Sequence, residues 1–219
     1  CAASTNVNKC IKNYSYGFKG NVLIPRNIVQ AIKKKNKKIY VIHFSTDQIY
    51  NGKQNKKNKE TDVKLSNNYS KTKFLGELEI KKLKYHTIIR TNFFGKLNLG
   101  YSSFSQMVVN NLKHNKKIKL PVNILYNPIH LKTLVKFIKF FIKKKIYGTY
   151  NLGSDDTITK YELAIRLAKF LKLKKELILG YESIYKNDKR PINTIMCNKK
   201  IKKITNFKIP KIKEMIRLN

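Results

Sequence analysis

A short apolar run that ends in hydroxyl side chains most strongly limits the folds open to this chain of 219 residues. Residues 39–44 read Ile-Tyr-Val-Ile-His-Phe, a composition typical of a strand buried in a parallel sheet. Ser45, Thr46 and Asp47 follow directly and therefore lie at the carboxyl end of that strand. Strands and helical patterns alternate along the chain, which predicts an α/β fold with a parallel sheet. In such sheets, ligands bind beyond the carboxyl ends of the strands.

Tyr69 and Lys73 lie four residues apart in residues 67–82, a segment whose pattern predicts a helix. That spacing places both side chains on one helix face, one turn apart. A free phenol has a pKa of about 10, and a nearby ammonium stabilises the phenolate by roughly 1–4 kcal/mol. We therefore expect Lys73 to lower the pKa of Tyr69 until the phenol is a usable acid or base. The hydroxyl of Ser45 or Thr46 is suited to hold a carbonyl oxygen beside that phenol, as the interconversion of a ketone and an alcohol requires.

The order of these residues resembles that of the extended short-chain dehydrogenases/reductases, and within them of the dTDP-4-dehydrorhamnose reductases. The similarity extends along the whole chain. It is carried by Cys1-Ala2-Ala3-Ser4-Thr5, Asn21-Val22, Ser45 to Gly52, Glu60-Thr61-Asp62, Asn68-Tyr69, Lys71-Thr72-Lys73, Gly76-Glu77, Arg90 to Gly95, Asn127-Pro128, Gly148 to Gly153 and Arg190-Pro191-Ile192-Asn193.

The resemblance implies a Rossmann-like, doubly wound parallel sheet followed by a smaller C-terminal substrate-binding region. Residues 1–101 are then the C-terminal part of the NAD(P)-binding domain and include the catalytic residues. Residues 102–219 form mainly the substrate-binding region, and some of their elements return to the sheet.

The resemblance also implies roles for individual residues. Thr46, Tyr69 and Lys73 are the catalytic set. The cofactor, NADPH or NADH, is bound by Ala2, Ala3, Tyr69 and Lys73, and Lys73 holds the nicotinamide ribose. The implied substrate-binding residues are Ser45, Asp47, Asn92 and Arg190. An Arg is suited to bidentate contact with a diphosphate, and an anchor for its own loop is the alternative role of Arg190.

The implied reaction is the reduction of a nucleotide-activated 4-keto-6-deoxy sugar by NAD(P)H. The implied substrate is dTDP-4-dehydrorhamnose, and its product dTDP-rhamnose would enter cell-surface polysaccharide synthesis. Two alternatives remain. One is another epimerase or reductase of sugar nucleotides in the same superfamily, and the other is a non-catalytic regulatory subunit resembling that of methionine adenosyltransferase.

One family motif is missing. The family begins with a βαβ unit that carries Gly-x-x-Gly-x-x-Gly, whose backbone approaches the cofactor pyrophosphate at a helix N-terminus. The closest match here is Gly17-Phe-Lys-Gly20, and Leu23 stands in place of the third glycine. We therefore expect this chain to lack about sixty N-terminal residues, judged from the size of two βαβ units, and to be inactive as given because the pyrophosphate-binding half is missing. The residue that selects NADH or NADPH would lie in that segment.

The net charge of +36 comes mostly from lysine, with 43 Lys and five Arg against 12 acidic residues. Specific readers of nucleic acid rely on Arg for bidentate contacts, and these lysines are spread over every predicted helix. We interpret the charge as codon bias of an AT-rich genome, with attraction of an anionic sugar nucleotide as the alternative. The sequence thus predicts no specific nucleic-acid partner.

The cysteines and the hydropathy of the chain indicate in which cellular compartment the protein is expected. Cys1, Cys10 and Cys197 are scattered, which favours a reducing cytoplasm and predicts neither a disulfide framework nor a metal site. The longest apolar stretch is interrupted by Lys136 and Lys139, so no membrane insertion is expected. A homodimer is compatible with the resemblance.

Three further features concern helices. A helix is predicted from Gly20 to Lys35, with Pro25 near its first turn. Asn21 in this helix is a candidate backbone kink, proton-relay residue or helix cap. Residues 159–162, Thr-Lys-Tyr-Glu, match a capping box, which marks a helix start and predicts no chemistry.

Overall fold

The computed structural model describes residues 3–53, 56–95, 103–184 and 190–218. The strands are β1 (Val41–Thr46), β2 (His86–Thr91), β3 (Phe93–Phe94), β4 (Ile118–Pro121), β5 (Leu125–Tyr126), β6 (Ile129–His130), β7 (Gly148–Leu152), β8 (Ile158–Thr159) and β9 (Ile178–Tyr181). The helices are α1 (Val7–Lys12), α2 (Tyr14–Phe18), α3 (Ile24–Lys34), α4 (Asn68–Ile80), α5 (Phe104–Lys113), α6 (Leu131–Lys144), α7 (Lys160–Phe170), α8 (Lys199–Ile204) and α9 (Ile212–Ile216). A π turn (Lys19–Leu23) and two 3₁₀ turns (Asp47–Ile49 and Lys175–Leu177) complete the set.

Within the described ranges, the central sheet consists of three parallel strands in the order β1–β2–β7. The register pairs Thr46 with Thr91, and Thr91 with Leu152, so the three strands end at the same level. The predicted parallel α/β sheet is therefore confirmed, and its carboxyl edge is a row of Thr46, Thr91 and Leu152.

Helices cover both faces of this sheet. Successive residues of a strand point to opposite faces, and Ile88 and Ile89 of β2 follow this rule. Ile88 belongs to a core cluster with Val29 of α3 and Ile80 of α4. Ile89 belongs to a larger cluster that includes Leu134, Phe137 and Phe141 of α6. The layered arrangement fixes α4, which carries Tyr69 and Lys73, against one face of the sheet.

The boundaries of β1 differ from the prediction of residues 39–44. The strand runs from Val41 to Thr46, so Ser45 and Thr46 are its last two residues instead of the residues that follow it. The reason is that parallel pairing with β2 continues to the end, where Ser45 faces Arg90 and Thr46 faces Thr91. Residues 3–6, which precede α1, are irregular.

The helix predicted from Gly20 begins earlier. Helical backbone runs from Tyr14 through Lys34, and Pro25 lies inside it instead of in its first turn. Proline has no N–H to donate to the carbonyl four residues earlier, which here belongs to Asn21. The helix widens into its π turn just before this proline, as helices do where the regular bonding pattern is interrupted.

The C-terminal half adds short strand pairs to this frame. β4 pairs with β9, and β5 pairs with β8. Val108 and Leu112 of α5 pack with Ala164 and Ala168 of α7 beneath the first pair. Among the described residues, no helix combines the length and the apolar composition that crossing a bilayer demands.

Candidate active site

Thr46 and Tyr69 lie together at the carboxyl end of β1. Thr46 is the last residue of the strand, and its hydroxyl donates to Asp47 Oδ1 at 3.2 Å. Tyr69 lies in the first turn of α4, and its phenol is close enough to the Thr46 hydroxyl for that hydroxyl to lower its pKa. Both side chains are buried, with 6% and 8% of their surface exposed. The strand and the helix therefore bring the two predicted catalytic hydroxyls into contact.

A capping box fixes the turn that carries Tyr69. The Asn67 side chain accepts a hydrogen bond from the Ser70 N–H at 2.9 Å, and Ser70 Oγ accepts one from the Asn67 N–H at 3.1 Å. Reciprocal caps of this kind satisfy two backbone donors that the first helical turn leaves unpaired. The position of the phenol is thus defined by local sequence as well as by packing.

The pKa of Tyr69 does not follow the prediction made from its spacing to Lys73. Burial raises the pKa of the phenol to about 12, and the hydrogen bond with Thr46 only partly opposes this effect. The neighbouring carboxylate of Asp47 raises the pKa further. Lys73 is not among the groups that act on it, so the expected lowering of the Tyr69 pKa by Lys73 was wrong. The phenol is protonated at neutral pH and is suited to act as an acid.

Lys73 is directed to the backbone of the strand instead. Its ammonium donates to the carbonyl oxygen of Phe44 in β1 at 2.7 Å, and only 6% of the residue is exposed. Burial lowers the pKa of Lys73 to about 8, although the nearby carboxylate of Glu77 opposes this shift. Within the described ranges this is the single hydrogen bond of the ammonium, which leaves two of its three N–H donors for a ligand.

The neighbouring hydroxyl of Ser45 is also buried, and it has no hydrogen-bond partner among the described residues. Buried polar groups without partners are uncommon and call for an explanation. Lys73 and Ser45 therefore offer hydrogen-bonding groups at the carboxyl end of β1 that the described residues do not use.

Asn21 has a structural role that the sequence left open. Its amide accepts from Ser4 N–H at 3.0 Å and donates to Ser4 O and to Thr72 Oγ1, both at 3.2 Å. It therefore ties the segment just after Ala3 to α4. Ala3 itself is exposed, while Ala2, also predicted to bind the cofactor, lies outside the described residues.

Three of the four predicted substrate residues line one cavity beyond the sheet edge. Asp47, Asn92 and Arg190 share its wall with Gln48, Tyr126 and Lys160, and Ser45 is not part of it. Asp47 accepts hydrogen bonds on Oδ2 from Asn92 at 3.1 Å and from Thr194 at 2.8 Å. Burial raises the pKa of Asp47 in spite of these bonds. Thr194 comes from a segment about 150 residues later, and its bond closes the cavity against β1.

Arg190 lines this cavity together with Asp47 at the end of β1. Its guanidinium donates through Nη2 to Asn8 Oδ1 at 2.5 Å, so it contacts α1 as well as the cavity. Asn193, three residues later, is fully buried and donates to the carbonyl of Lys56 at 2.8 Å. Asn193 is therefore an anchor of the loop, whereas Arg190 remains free to offer its other N–H groups to a ligand.

The sequence interpretation missed Lys160 and Tyr126. Lys160 lies inside the Thr159–Glu162 capping box, which was expected to carry no chemistry. The box does cap α7, yet its second residue lines the cavity. Tyr126 is buried in β5 and no local pattern marks it. The sequence did contain a signal for Lys160. The N-terminus of a helix has a positive potential, so a lysine at that position is unfavourable unless a negative group compensates its charge.

Comparison with known proteins gives one family. The model of the family described as "RmlD substrate binding domain" matches residues 1–218. No curated protein sequence is significantly similar to this chain.

Solved structures with the same fold are numerous. A dTDP-4-dehydrorhamnose reductase from Bacillus anthracis, in complex with NADP, superposes with a TM-score of 0.89 at 20% identity and covers 100% of this chain and 77% of its own. The reductase from Yersinia enterocolitica gives 0.84 at 20% identity, with 99% and 79% covered. A dTDP-glucose 4,6-dehydratase from Streptomyces venezuelae, with NAD bound, gives 0.82 at 17% identity, with 99% and 70% covered. These similarities establish the Rossmann-like fold, which reductases and a dehydratase share.

Proposed function

Because this chain belongs to the RmlD substrate-binding-domain family of the extended short-chain dehydrogenases/reductases, we propose that it reduces the keto group of a nucleotide-activated 4-keto-6-deoxy sugar with NAD(P)H. The proposed substrate is dTDP-4-dehydrorhamnose. The observation that carries the proposal is the buried contact between Thr46 and Tyr69 at the carboxyl end of β1, with Lys73 one helical turn away.

The residues at this edge are suited to hold the nicotinamide half of the cofactor. Lys73 would donate its two remaining N–H groups to the ribose hydroxyls, and Ser45 lies beside it on the strand. Ala3 would face the cofactor from the segment that Asn21 anchors. When bound, the nicotinamide supplies the hydride that a ketone must receive to become an alcohol.

Thr46 and Tyr69 would act on the oxygen of the keto group. The Thr46 hydroxyl accepts from the Gln48 N–H and donates to Asp47 Oδ1, so its proton would turn from Asp47 to the keto oxygen when the substrate binds. Tyr69, which burial keeps protonated, would donate its proton to the alkoxide as it forms. A positioned acid of this kind contributes about 10²–10⁴-fold to the rate. The phenolate that remains is reprotonated from solvent before the next turnover.

Asp47 and Asn92 line the cavity wall and would determine which sugar is bound. Asp47 retains acceptor capacity on Oδ1, and the carbonyl oxygen of the Asn92 amide is available to accept from a sugar hydroxyl. Arg190, which lines the same cavity, would contact the diphosphate. The sugar and the diphosphate are therefore each matched by groups of the appropriate chemistry.

A direct assay tests this function. The full-length protein is incubated with NADPH or NADH and dTDP-4-dehydrorhamnose, and cofactor oxidation is followed together with chromatography of the sugar nucleotide. We expect formation of dTDP-rhamnose, and a lower rate with the uridine-linked keto sugar. Binding of NADPH without reduction of either keto sugar would contradict the proposal.

A further inference from the structure

Asp47, which follows β1, accepts hydrogen bonds from three side chains that come from separate parts of the chain. Thr46 Oγ1 donates to Oδ1 at 3.2 Å, while Asn92 Nδ2 and Thr194 Oγ1 donate to Oδ2 at 3.1 and 2.8 Å. The bond from Thr194 is the shortest of the three. Asp47 itself is 2% exposed. Because both of its oxygens are engaged, the carboxylate is held in one orientation.

The backbone around Thr194 is fixed independently of its side chain. The Thr194 N–H donates to the carbonyl oxygen of Leu125 in β5 at 2.9 Å, and the Leu125 N–H donates to the carbonyl oxygen of Ile192 at 2.8 Å. The hydroxyl proton of Thr194 has two acceptors in reach, Asp47 Oδ2 at 2.8 Å and the Leu125 carbonyl at 3.5 Å. The shorter and charge-assisted bond to Asp47 is the stronger one. An ordered segment of the C-terminal half therefore presents this hydroxyl to the end of β1.

The hydrogen bonds around Asp47 favour its ionised form. Burial raises the pKa of Asp47, and the bond from Thr194 is the largest of the effects that lower it. The bond from Asn92, the charge of Lys160 in α7 and the bond from Thr46 follow in that order. Hydrogen bonds donated to a carboxylate stabilise its charge. Loss of the Thr194 hydroxyl therefore moves Asp47 towards its neutral form.

Asp47 connects this network to the proposed acid. The pKa of Tyr69, which burial raises, is lowered by the hydroxyl of Thr46 and raised by the charge of Asp47. The same charge raises the pKa of Tyr126 in β5, after the larger effect of burial. The Arg190 guanidinium is the other cation that lines this cavity besides Lys160. The orientation and the charge of Asp47 therefore act on both proposed catalytic hydroxyls.

We propose that Thr194 is a positioning residue, which holds Asp47 Oδ2 and so keeps Oδ1 directed at the hydroxyl of Thr46. This inference rests on the proposed function and adds to it a residue from the C-terminal half of the chain. When Thr46 turns its proton to the keto oxygen, Oδ1 keeps its orientation and accepts from a sugar hydroxyl. Without the Thr194 bond, Asn92 is the remaining donor to Oδ2 among the described residues, and the carboxylate is free to rotate.

Two substitutions separate the hydroxyl of Thr194 from its shape. Thr194→Val removes the hydroxyl and keeps the branched side chain, whereas Thr194→Ser keeps the hydroxyl and removes a methyl group. In the full-length protein, Thr194→Val should lower kcat/KM for the keto sugar by about 10-fold, the scale of one hydrogen bond to a charged group. Thr194→Ser should retain most of the activity. An active Thr194→Val beside a defective Thr194→Ser would show that Thr194 only fills space, and would overturn the proposal.

The pH profile of kcat/KM gives a second measurement. The bond from Thr194 lowers the pKa of Asp47, so its removal raises that pKa, and Asp47 loses its charge at a higher pH. The acidic limb of the profile should therefore move to higher pH in Thr194→Val and stay in place in Thr194→Ser. An acidic limb that does not move in Thr194→Val would contradict the role of Thr194.

Thr205→Val is the matched control. Thr205 is 6% exposed, its hydroxyl donates to the carbonyl oxygen of Ile201 at 3.1 Å, and it does not line the cavity. The substitution removes the same buried hydroxyl from a site without a carboxylate partner, so kcat/KM and its pH profile should be unaltered. Equal losses in Thr205→Val and Thr194→Val would overturn the assignment.

A measurement without substrate separates this inference from the proposed reaction. Carbon-13 NMR of the aspartate carboxyl groups follows the titration of Asp47, whose signal is assigned by its loss in Asp47→Asn. Asp47 should titrate at higher pH in Thr194→Val than in the unmodified protein, and an identical titration would overturn the inference. That shift in a protein that reduces no keto sugar would establish the hold of Thr194 on Asp47 but overturn the reductase function and, with it, the catalytic purpose of the hold. Reduction of the keto sugar with unchanged kcat/KM in Thr194→Val would support the reductase and overturn the positioning role.

Discussion

Arg90 of β2 holds both carboxylate oxygens of Glu77 in α4, with Nε to Oε1 at 3.0 Å and Nη2 to Oε2 at 2.6 Å. The side chains are 2% and 0% exposed. The remaining guanidinium donor, Nη1, is bonded to the Tyr50 hydroxyl and to the carbonyl oxygen of Glu60. Since Glu77 lies one turn beyond Lys73, this ion pair fixes α4, the helix that carries Tyr69 and Lys73, to the sheet.

Removal of either partner should destabilise the protein strongly. Glu77→Gln leaves the Arg90 charge buried without a carboxylate, and Arg90→Met leaves the Glu77 charge buried without a cation. Breaking a buried pair in this way typically costs about 3–5 kcal/mol. We expect a loss of that size in the free energy of unfolding, measured by urea denaturation.

The salt bridge of Glu79 provides the matched control on the same helix. Glu79 pairs with Arg26 at 3.1 Å and with Lys82 at 2.5 Å, whose side chains are 40% and 54% exposed. Pairs exposed to this degree contribute about 0–1 kcal/mol. Equal losses in Glu79→Gln and Glu77→Gln would show that the buried pair does not have the role described here.

Because Gly76 has no side chain, the backbone of α4 packs directly against the π turn Lys19–Leu23. A Cβ on Gly76 would lie 2.1 Å from the carbonyl oxygen of Asn21, in the π turn. Alanine normally stabilises a helix by about 1 kcal/mol relative to glycine. Here Gly76→Ala should instead destabilise the protein by about 1–3 kcal/mol, because the backbones must separate. Thermal unfolding of this variant, beside Lys71→Ala on the exposed side, measures the effect, and a stabilised Gly76→Ala would contradict the close contact.

Local periodicity made part of the candidate site predictable. The apolar run before Ser45 specified a strand, and a spacing of four residues was sufficient to place Tyr69 and Lys73 on one helix face. The order of strand and helix then brought Thr46 to Tyr69. Each of these steps depends on neighbours along the chain, which a sequence displays directly.

The electrostatics were not predictable in the same way. The pKa of Tyr69 depends on how completely the phenol is buried, and that follows from packing of residues far apart in the chain. The partner of Lys73 is a backbone carbonyl, which no side-chain pattern marks. Lys160 and Arg190 meet in one cavity through tertiary structure alone, and a capping box gave Lys160 a sufficient local explanation.

Tyr69→Phe should lower turnover by about 10²–10⁴-fold, the scale expected for a positioned acid. The variant retains the ring and the fold, so the affinity for NADPH should change little. Steady-state kinetics with the keto sugar and calorimetry with NADPH provide the two measurements. If Tyr69→Phe reduced the keto sugar at nearly the original rate, Tyr69 would not be the acid.

Lys73→Met should abolish activity and yet stabilise the fold at pH 7. Burial lowers the pKa of Lys73 to about 8 from an ordinary value near 10.5, a difference worth about 3 kcal/mol. Below pH 8 the lysine is charged in the folded and the unfolded states, so the whole burial cost is present. As the pH rises from about 8 towards 10.5, the folded protein binds fewer protons than the unfolded chain, and the cost is relieved.

The variant also loses the bond to Phe44, so we expect a gain in unfolding free energy of about 1–3 kcal/mol at pH 7 that shrinks at alkaline pH. Urea denaturation at several pH values, with the exposed Lys71→Met as control, measures this difference. If Lys73→Met were less stable than the original protein at pH 7, or if the difference in unfolding free energy did not depend on pH, burial of the Lys73 ammonium would not destabilise the fold.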